Sequence, residues 1–169
     1  DNLTGFSDAI AAVYSHTDIQ NCIIHQLRNS SKYVSYKDLK PLMADLKRVY
    51  AAVDEQSALA ALDDFAEIWD KKYPKISESW RKNWANLSTY FKFPEELRRL
   101  IYTTNNIEGF NRQLRKVTKS KSVFPTDDSL FKMLYLAMRD ITKKWTGRRI
   151  DWSKIHAQLT VFYGERIPE

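Results

Sequence analysis

Cysteine, glycine and proline are all scarce in this chain of 169 residues: one Cys, four Gly and five Pro. A single thiol excludes a disulfide framework and any all-cysteine zinc site, and it points to a reducing compartment. So few glycines and prolines leave little turn chemistry for an all-β sandwich or barrel. No run of uncharged apolar residues approaches the length of a membrane span. The opening Asp1-Asn-Leu-Thr-Gly-Phe6 has neither the basic nor the apolar region of a signal peptide, and the missing initial Met allows the chain to be a fragment. What is abundant is core material: hydrophobic residues make up 43% and aromatics 13%, enough to exclude a disordered chain and to fill about one domain.

The formal charge is +6, from 27 Lys and Arg against 21 Asp and Glu. Residues 98–121 carry Arg98, Arg99, Arg112, Arg115, Lys116, Lys119 and Lys121 against the single acid Glu108, a surplus equal to that of the whole chain. Such a local excess is the footprint of a polyanion site, and also of a solvated helix face.

Apolar spacing is helical nearly throughout. Phe6 to Tyr14 predicts a short helix. Asp18 to Ile24, with Ile19, Cys22, Ile23 and Ile24, is the best strand candidate. Helices are predicted over Tyr36 to Ala52, with Pro41 near its start, and over Asp54 to Lys72, with Leu59, Leu62, Phe65, Ile68 and Trp69 as the buried stripe. One or two more lie between Pro74 and Pro94. Thr103 to Lys121 predicts a helix with a basic face, Asp127 to Thr146 a long amphipathic helix stopped by Gly147, and Ser153 to Tyr163 a final helix. One strand cannot make a sheet, so any partners for 18–24 lie outside this sequence or in another copy.

On the helix over 103–121, Ile107, Phe110, Leu114 and Val117 form the apolar stripe. Glu108, Arg112, Arg115 and Lys119 share another face, with Asn111 beside them. One carboxylate thus heads a basic ridge, which suits a polyanion backbone lying along the ridge. The same residues also read as Asn105 and Glu108 in a near capping box and as an ordinary Glu108–Arg112 pair. A lone carboxylate cannot hold two divalent ions, so catalysis of phosphoryl transfer needs acids from elsewhere.

Several segments resemble one family. Ile101-Tyr-Thr-Thr-Asn-Asn-Ile-Glu-Gly-Phe-Asn-Arg-Gln-Leu-Arg-Lys-Val-Thr-Lys119 is similar to a signature of bacterial insertion-sequence transposases of the Mutator-like class. Asp1-Asn-Leu-Thr-Gly-Phe6 resembles their Asp-Gly-Leu-x-Gly-Phe box, with Asn2 in place of the usual Gly. Cys22-Ile-Ile-His25 resembles their Cys-x-x-His motif, and Phe124-Pro-Thr-Asp-Asp128 and Lys143-Lys-Trp145 match further segments. The resemblance implies a mainly α chain, the C-terminal fragment of a ribonuclease-H-like α/β catalytic domain with a helical insertion and at most one or two strands here. Residues 1–29 would end the core (strand end, helix, strand), 30–102 would be the insertion, and 103–169 the Glu-bearing and C-terminal helices. It further implies a DDE transposase that cleaves and transfers DNA strands using Mg2+ or Mn2+. Asp1 and Glu108 would be catalytic and metal-binding residues, and a first Asp would lie upstream. DNA would be the partner, the intact enzyme would be a homo-oligomer, and its place would be the bacterial cytoplasm. The fragment alone would bind DNA without cleaving it.

The expected DNA contacts are Arg112, Arg115, Lys116, Lys119, Lys121 and Asn111, with Trp84 as a candidate base-stacking residue. Lys143, Lys144, Arg148 and Arg149 form a possible second phosphate zone. Cys22 and His25, near His16, lack the second ligand pair of a structural zinc site and read as a buried Cys and a hydrogen-bonded His at a strand end. The rival to an enzyme is a helical DNA-binding or regulatory module in which Glu108 is only a cap. A bundle that docks an acidic protein is a third reading.

Overall fold

The computed structural model describes residues 5–102, 106–121, 123–145 and 151–167. The chain is mainly helical and forms two compact units, Asp1–Thr103 and Thr104–Glu169. Among the described residues there is no strand, and no helix is long and apolar enough to cross a membrane.

The first unit begins with α1 (Phe6–Val13) and α2 (Ile23–Ser31). The segment expected as a strand, Asp18 to Ile24, is instead irregular up to Cys22 and helical from Ile23. Its β-branched residues find no strand partner. The segment is pinned by scattered bonds: the Asn21 N–H donates to the Asn86 carbonyl (2.7 Å), the Gln20 amide to Leu87 O (3.0 Å), and the Thr89 hydroxyl to Ile19 O (2.9 Å). Asp18 is also ion-paired with Lys92.

Two longer helices follow, α3 (Tyr36–Tyr50) and α4 (Glu55–Trp69), packed as a hairpin. The Trp69 indole donates to Asp45 and Arg48 to Asp64, pairings that descend one helix as they climb the other. Asp54 caps α4 by accepting from Ser57 N–H at 2.7 Å. Pro41 lies in the second turn of α3 rather than the first, so the Lys37 carbonyl lacks its usual donor. Both residues face solvent, which keeps that loss tolerable. The buried side of α4 is Ala58, Leu62 and Phe65 with Trp69 partly covered, whereas Leu59 and Ile68, expected inside, are exposed. Leucine and isoleucine at those positions fall one step around the helix from the contact with α3.

The unit closes with α5 (Pro74–Lys82), α6 (Trp84–Leu87), a 3-10 turn (Ser88–Lys92) and α7 (Glu95–Tyr102), the last not anticipated from spacing. One core joins these elements: Ile23 and Leu27 of α2, Leu42, Leu46 and Val49 of α3, Leu62 and Phe65 of α4, with Ile76, Trp80, Leu87 and Tyr90. Inside it, the Trp80 indole donates to Ser30 Oγ (2.9 Å), Ser30 Oγ donates to the Gln26 carbonyl (2.8 Å), and the buried Gln26 amide donates to Ser79 Oγ (3.0 Å). These partners are what permit polar side chains in an apolar interior.

The second unit contains α8 (Asn106–Thr118), α9 (Asp127–Thr142) and α10 (Trp152–Tyr163), followed by a 3-10 turn (Gly164–Arg166). Thr126 and Ser129 form a reciprocal capping box at the start of α9. That helix ends at Thr142, short of the expected Thr146, and Gly147 lies outside the described residues. α9 buries Ala137 and Ile141, half-buries Leu130 and Leu134, and exposes Phe131, Leu136 and Met138.

Candidate nucleic-acid interface

α8 carries the residues that sequence singled out, and it packs against α9. Its inner side is Phe110, Gln113 and Leu114, all half-buried, with the Phe110 ring meeting Trp145 edge-on at 5.9 Å. Ile107 and Val117, expected in the apolar stripe, are exposed instead. The narrower true stripe leaves more of the helix to solvent. A groove of about 430 Å3 runs between α8 and α9, lined by Lys116, Val117, Leu136, Ala137, Ile141 and Lys144 among others.

Asn111, Arg112, Arg115, Lys116, Lys119 and Lys121 are all exposed. The Lys119 N–H donates to the Arg115 carbonyl at 2.9 Å and Lys121 N–H to Thr118 O at 3.1 Å, so helical bonding carries past Thr118 and keeps Lys119 in line with Arg112 and Arg115. Glu108 sits in the first turn of α8, half-buried, where a carboxylate is favoured by the helix dipole. Asn105, its expected capping partner, is outside the described residues. The ridge therefore offers a row of cations that can neutralise phosphates, with one acid at its head.

The basic run read from sequence is not continuous in space. Arg98 belongs to α7 of the first unit and is buried, its guanidinium donating to the carbonyls of Ala52 (3.1 Å) and Val53 (2.9 Å). It fastens α7 to the α3–α4 turn and offers nothing to a polyanion. Lys143 lies 3.6 Å from Asp140, Lys144 lines the α8–α9 groove, and Arg148 and Arg149 are outside the described residues.

Asp1, the other expected acid, is likewise outside the described residues, and among those residues no three His, Cys, Asp or Glu side chains converge. Glu108 by itself falls short of the oxygen ligand set a hard divalent cation takes. Cys22 is the N-cap of α2 and only partly buried, and His25 stands in the first turn of that helix, its Nε2 3.4 Å from an Arg28 nitrogen. The pair is at a helix start, not at a strand end. Trp84 belongs to the first unit. Its ring stacks on Phe91 at 6.5 Å and its indole N–H donates to Glu55 at 2.9 Å, while its neighbour Trp80 is wholly internal.

Sequence reading passed over Tyr33, Lys72, Tyr73 and Lys75, which the fold gathers around one cleft. The signal was present in the Lys32-Tyr33 and Tyr36-Lys37 pairs, but the even charge count outside 98–121 masked it.

Comparison with known proteins places these features in context. Residues 1–147 match the profile of the family described as "Transposase, Mutator family". The chain is 44% identical over 167 residues to a probable transposase for an ISRM3-like insertion sequence element of Sinorhizobium fredii, an alignment covering 98% of this chain and 42% of that protein. It is 42% identical over the same length, with the same coverage of each chain, to the transposase for insertion sequence element ISRM3 of Rhizobium meliloti. A probable insertion-sequence transposase of Corynebacterium diphtheriae is 38% identical over 155 residues, 91% of this chain and 45% of that protein. The chain thus spans about two fifths of the length of these relatives.

Proposed function

The chain belongs to the Mutator family of transposases, and from that premise we propose that it is the C-terminal part of the catalytic domain of a DDE enzyme that cleaves and transfers the DNA strands of an insertion sequence. The observation that carries this reading is the placement of Glu108 at the head of a helix whose outer face is a row of exposed cations, inside the stretch that matches the family. The partner is DNA. Arg112, Arg115 and Lys119 grip its backbone, a contact that positions the strand without reading its sequence. Lys116, Lys121 and Asn111 extend the same surface. Glu108 is the catalytic acid, and Asp1 and an acid beyond the matched stretch complete the set for Mg2+ or Mn2+. The ribonuclease-H-like core, the homo-oligomer and the bacterial cytoplasm as the place of action belong to the same proposal.

The test uses a transposase polypeptide that carries this chain together with the additional length its relatives have. Glu108→Gln keeps size and hydrogen-bonding capacity but removes the charge. The substitution should abolish metal-dependent cleavage of a terminal-repeat duplex while leaving its binding within about twofold. Retained cleavage would overturn the assignment and leave α8 as a DNA-binding element without chemistry.

A further inference from the structure

Away from α8, the first unit holds a cleft of about 660 Å3 lined by Asn29, Ser30, Tyr33, Lys72, Tyr73 and Lys75, with Pro74, Ile76 and Ser79 completing it. That volume lies within the range of small-ligand sites. Its lining is uneven in a telling way. Ile76 and Pro74 supply an apolar wall, and Ser30 and Ser79 are the inner polar groups, both already bonded within the core network. The rim is aromatic and cationic. Tyr33 is 83% exposed, and Tyr73 stands with it in the same lining. The cleft's own lining carries two lysines, Lys72 and Lys75, and no acid, with Asp38 beside it at the rim.

The rim is held in place. The Asp38 carboxylate accepts from the Tyr73 hydroxyl (2.7 Å) and the Ser35 hydroxyl (2.9 Å), and is ion-paired with Lys72. Lys72 in turn lies 5.4 Å over the Tyr73 ring. Asp38 is thus neutralised by Lys72, and Lys75 stands exposed at the mouth. An exposed tyrosine beside an apolar-walled cleft, with Lys75 at its edge, is an arrangement that stacks a base and meets its phosphate.

We infer that this cleft binds an unpaired nucleotide of a DNA strand, its base against Tyr33 and a flanking phosphate on Lys75. The inference rests on DNA being the partner, but not on Glu108 or the α8 ridge. A duplex keeps its bases stacked inside and cannot offer one to Tyr33, so the site distinguishes single strands from duplex.

Fluorescence anisotropy on the 169-residue chain tests it, with a labelled oligothymidylate of about 16 nucleotides and a duplex of equal length. Tyr33→Ala should weaken single-strand binding about tenfold, leave duplex binding within about twofold, and be rescued by Tyr33→Phe, which keeps the ring. Lys75→Ala should weaken single-strand binding and flatten its salt dependence by about one phosphate contact. No effect of Tyr33→Ala, or an equal effect on strand and duplex, overturns the inference. So does polyglutamate displacing the oligonucleotide as well as unlabelled oligothymidylate does, which would reassign the cleft to an acidic peptide. Loss of duplex affinity confined to Arg112→Ala and Arg115→Ala, or its absence, bears on α8 and leaves the cleft standing or falling by its own variants.

Discussion

Replacing Arg112 and Arg115 together by alanine isolates the contribution of the α8 ridge. The two guanidinium groups and Lys119 share one exposed helix face. Seven residues separate Arg112 from Lys119, so at about 1.5 Å per residue the row is about 10 Å long. Phosphates of one DNA strand advance about 3.4 Å along the axis while winding around it, so the row reaches about two or three neighbouring ones. Each neutralised phosphate contributes about −0.9 to the slope of log K against log salt. The double variant should therefore flatten that slope by about 1.8. Between 50 and 200 mM KCl, the affinity ratio of parent to variant should then shrink about tenfold. Anisotropy titrations of a labelled duplex at four or five salt concentrations in that range read both quantities. Arg112 and Arg115 are exposed, so the fold should be retained, which circular dichroism checks. A slope unchanged by the double substitution would refute the reasoning, because it would mean that these cations touch no phosphate.

Arg98 should behave oppositely to the ridge. Arg98→Met removes a buried guanidinium that bonds two carbonyls of the α3–α4 turn, and should cost about 2–3 kcal/mol in urea unfolding while leaving duplex affinity unchanged. Unaltered stability with weakened binding would reverse that assignment. Asp38 should set an acid limit on the first unit. The Lys72 ammonium, then the Tyr73 and Ser35 hydroxyls, lower its carboxyl from the usual 3.8 to about 2. A depressed carboxyl stabilises the fold above its unfolded value, and that stability is lost as pH falls through the folded one. Asp38→Asn should therefore lower the urea midpoint at pH 7, and the gap from the parent should close between about pH 4 and pH 2. A gap that is constant with pH would show that the charge of Asp38 is not what stabilises this contact.

Periodicity carried most of the fold. The helices at 36–50, 55–69 and 127–142 stand close to where apolar spacing put them, because each buries a long stripe against a neighbour. Local pattern failed where the deciding partner was distant in sequence. Ile19 to Ile24 has strand composition, but Asn86 and Thr89 take single backbone groups of it, Leu87 takes the Gln20 side-chain amide, and no ladder forms among the described residues. Arg98 reads as one more cation in a basic run until the carbonyls of Ala52 and Val53, some 45 residues away, turn it inward. Glu108 and the α8 cations were legible because one helix supplies them all at fixed offsets. The cleft at Tyr33 was not, since its walls come from α2, the α4–α5 connection and α5, and charge counted along the chain cannot register charge gathered across it.

The internal bonds from Trp80 to Ser30 and from Gln26 to Ser79 have a consequence for how α2 and α5 are matched. Apolar surfaces alone would let two helices slip past one another by a turn, about 5.4 Å, at modest loss. Here such a slip strands an indole N–H and a carboxamide in a dry interior, so a single registration is selected. The facing walls of the Tyr33 cleft inherit that fixed spacing, and a ligand entering it meets a shape already set rather than one it must mould.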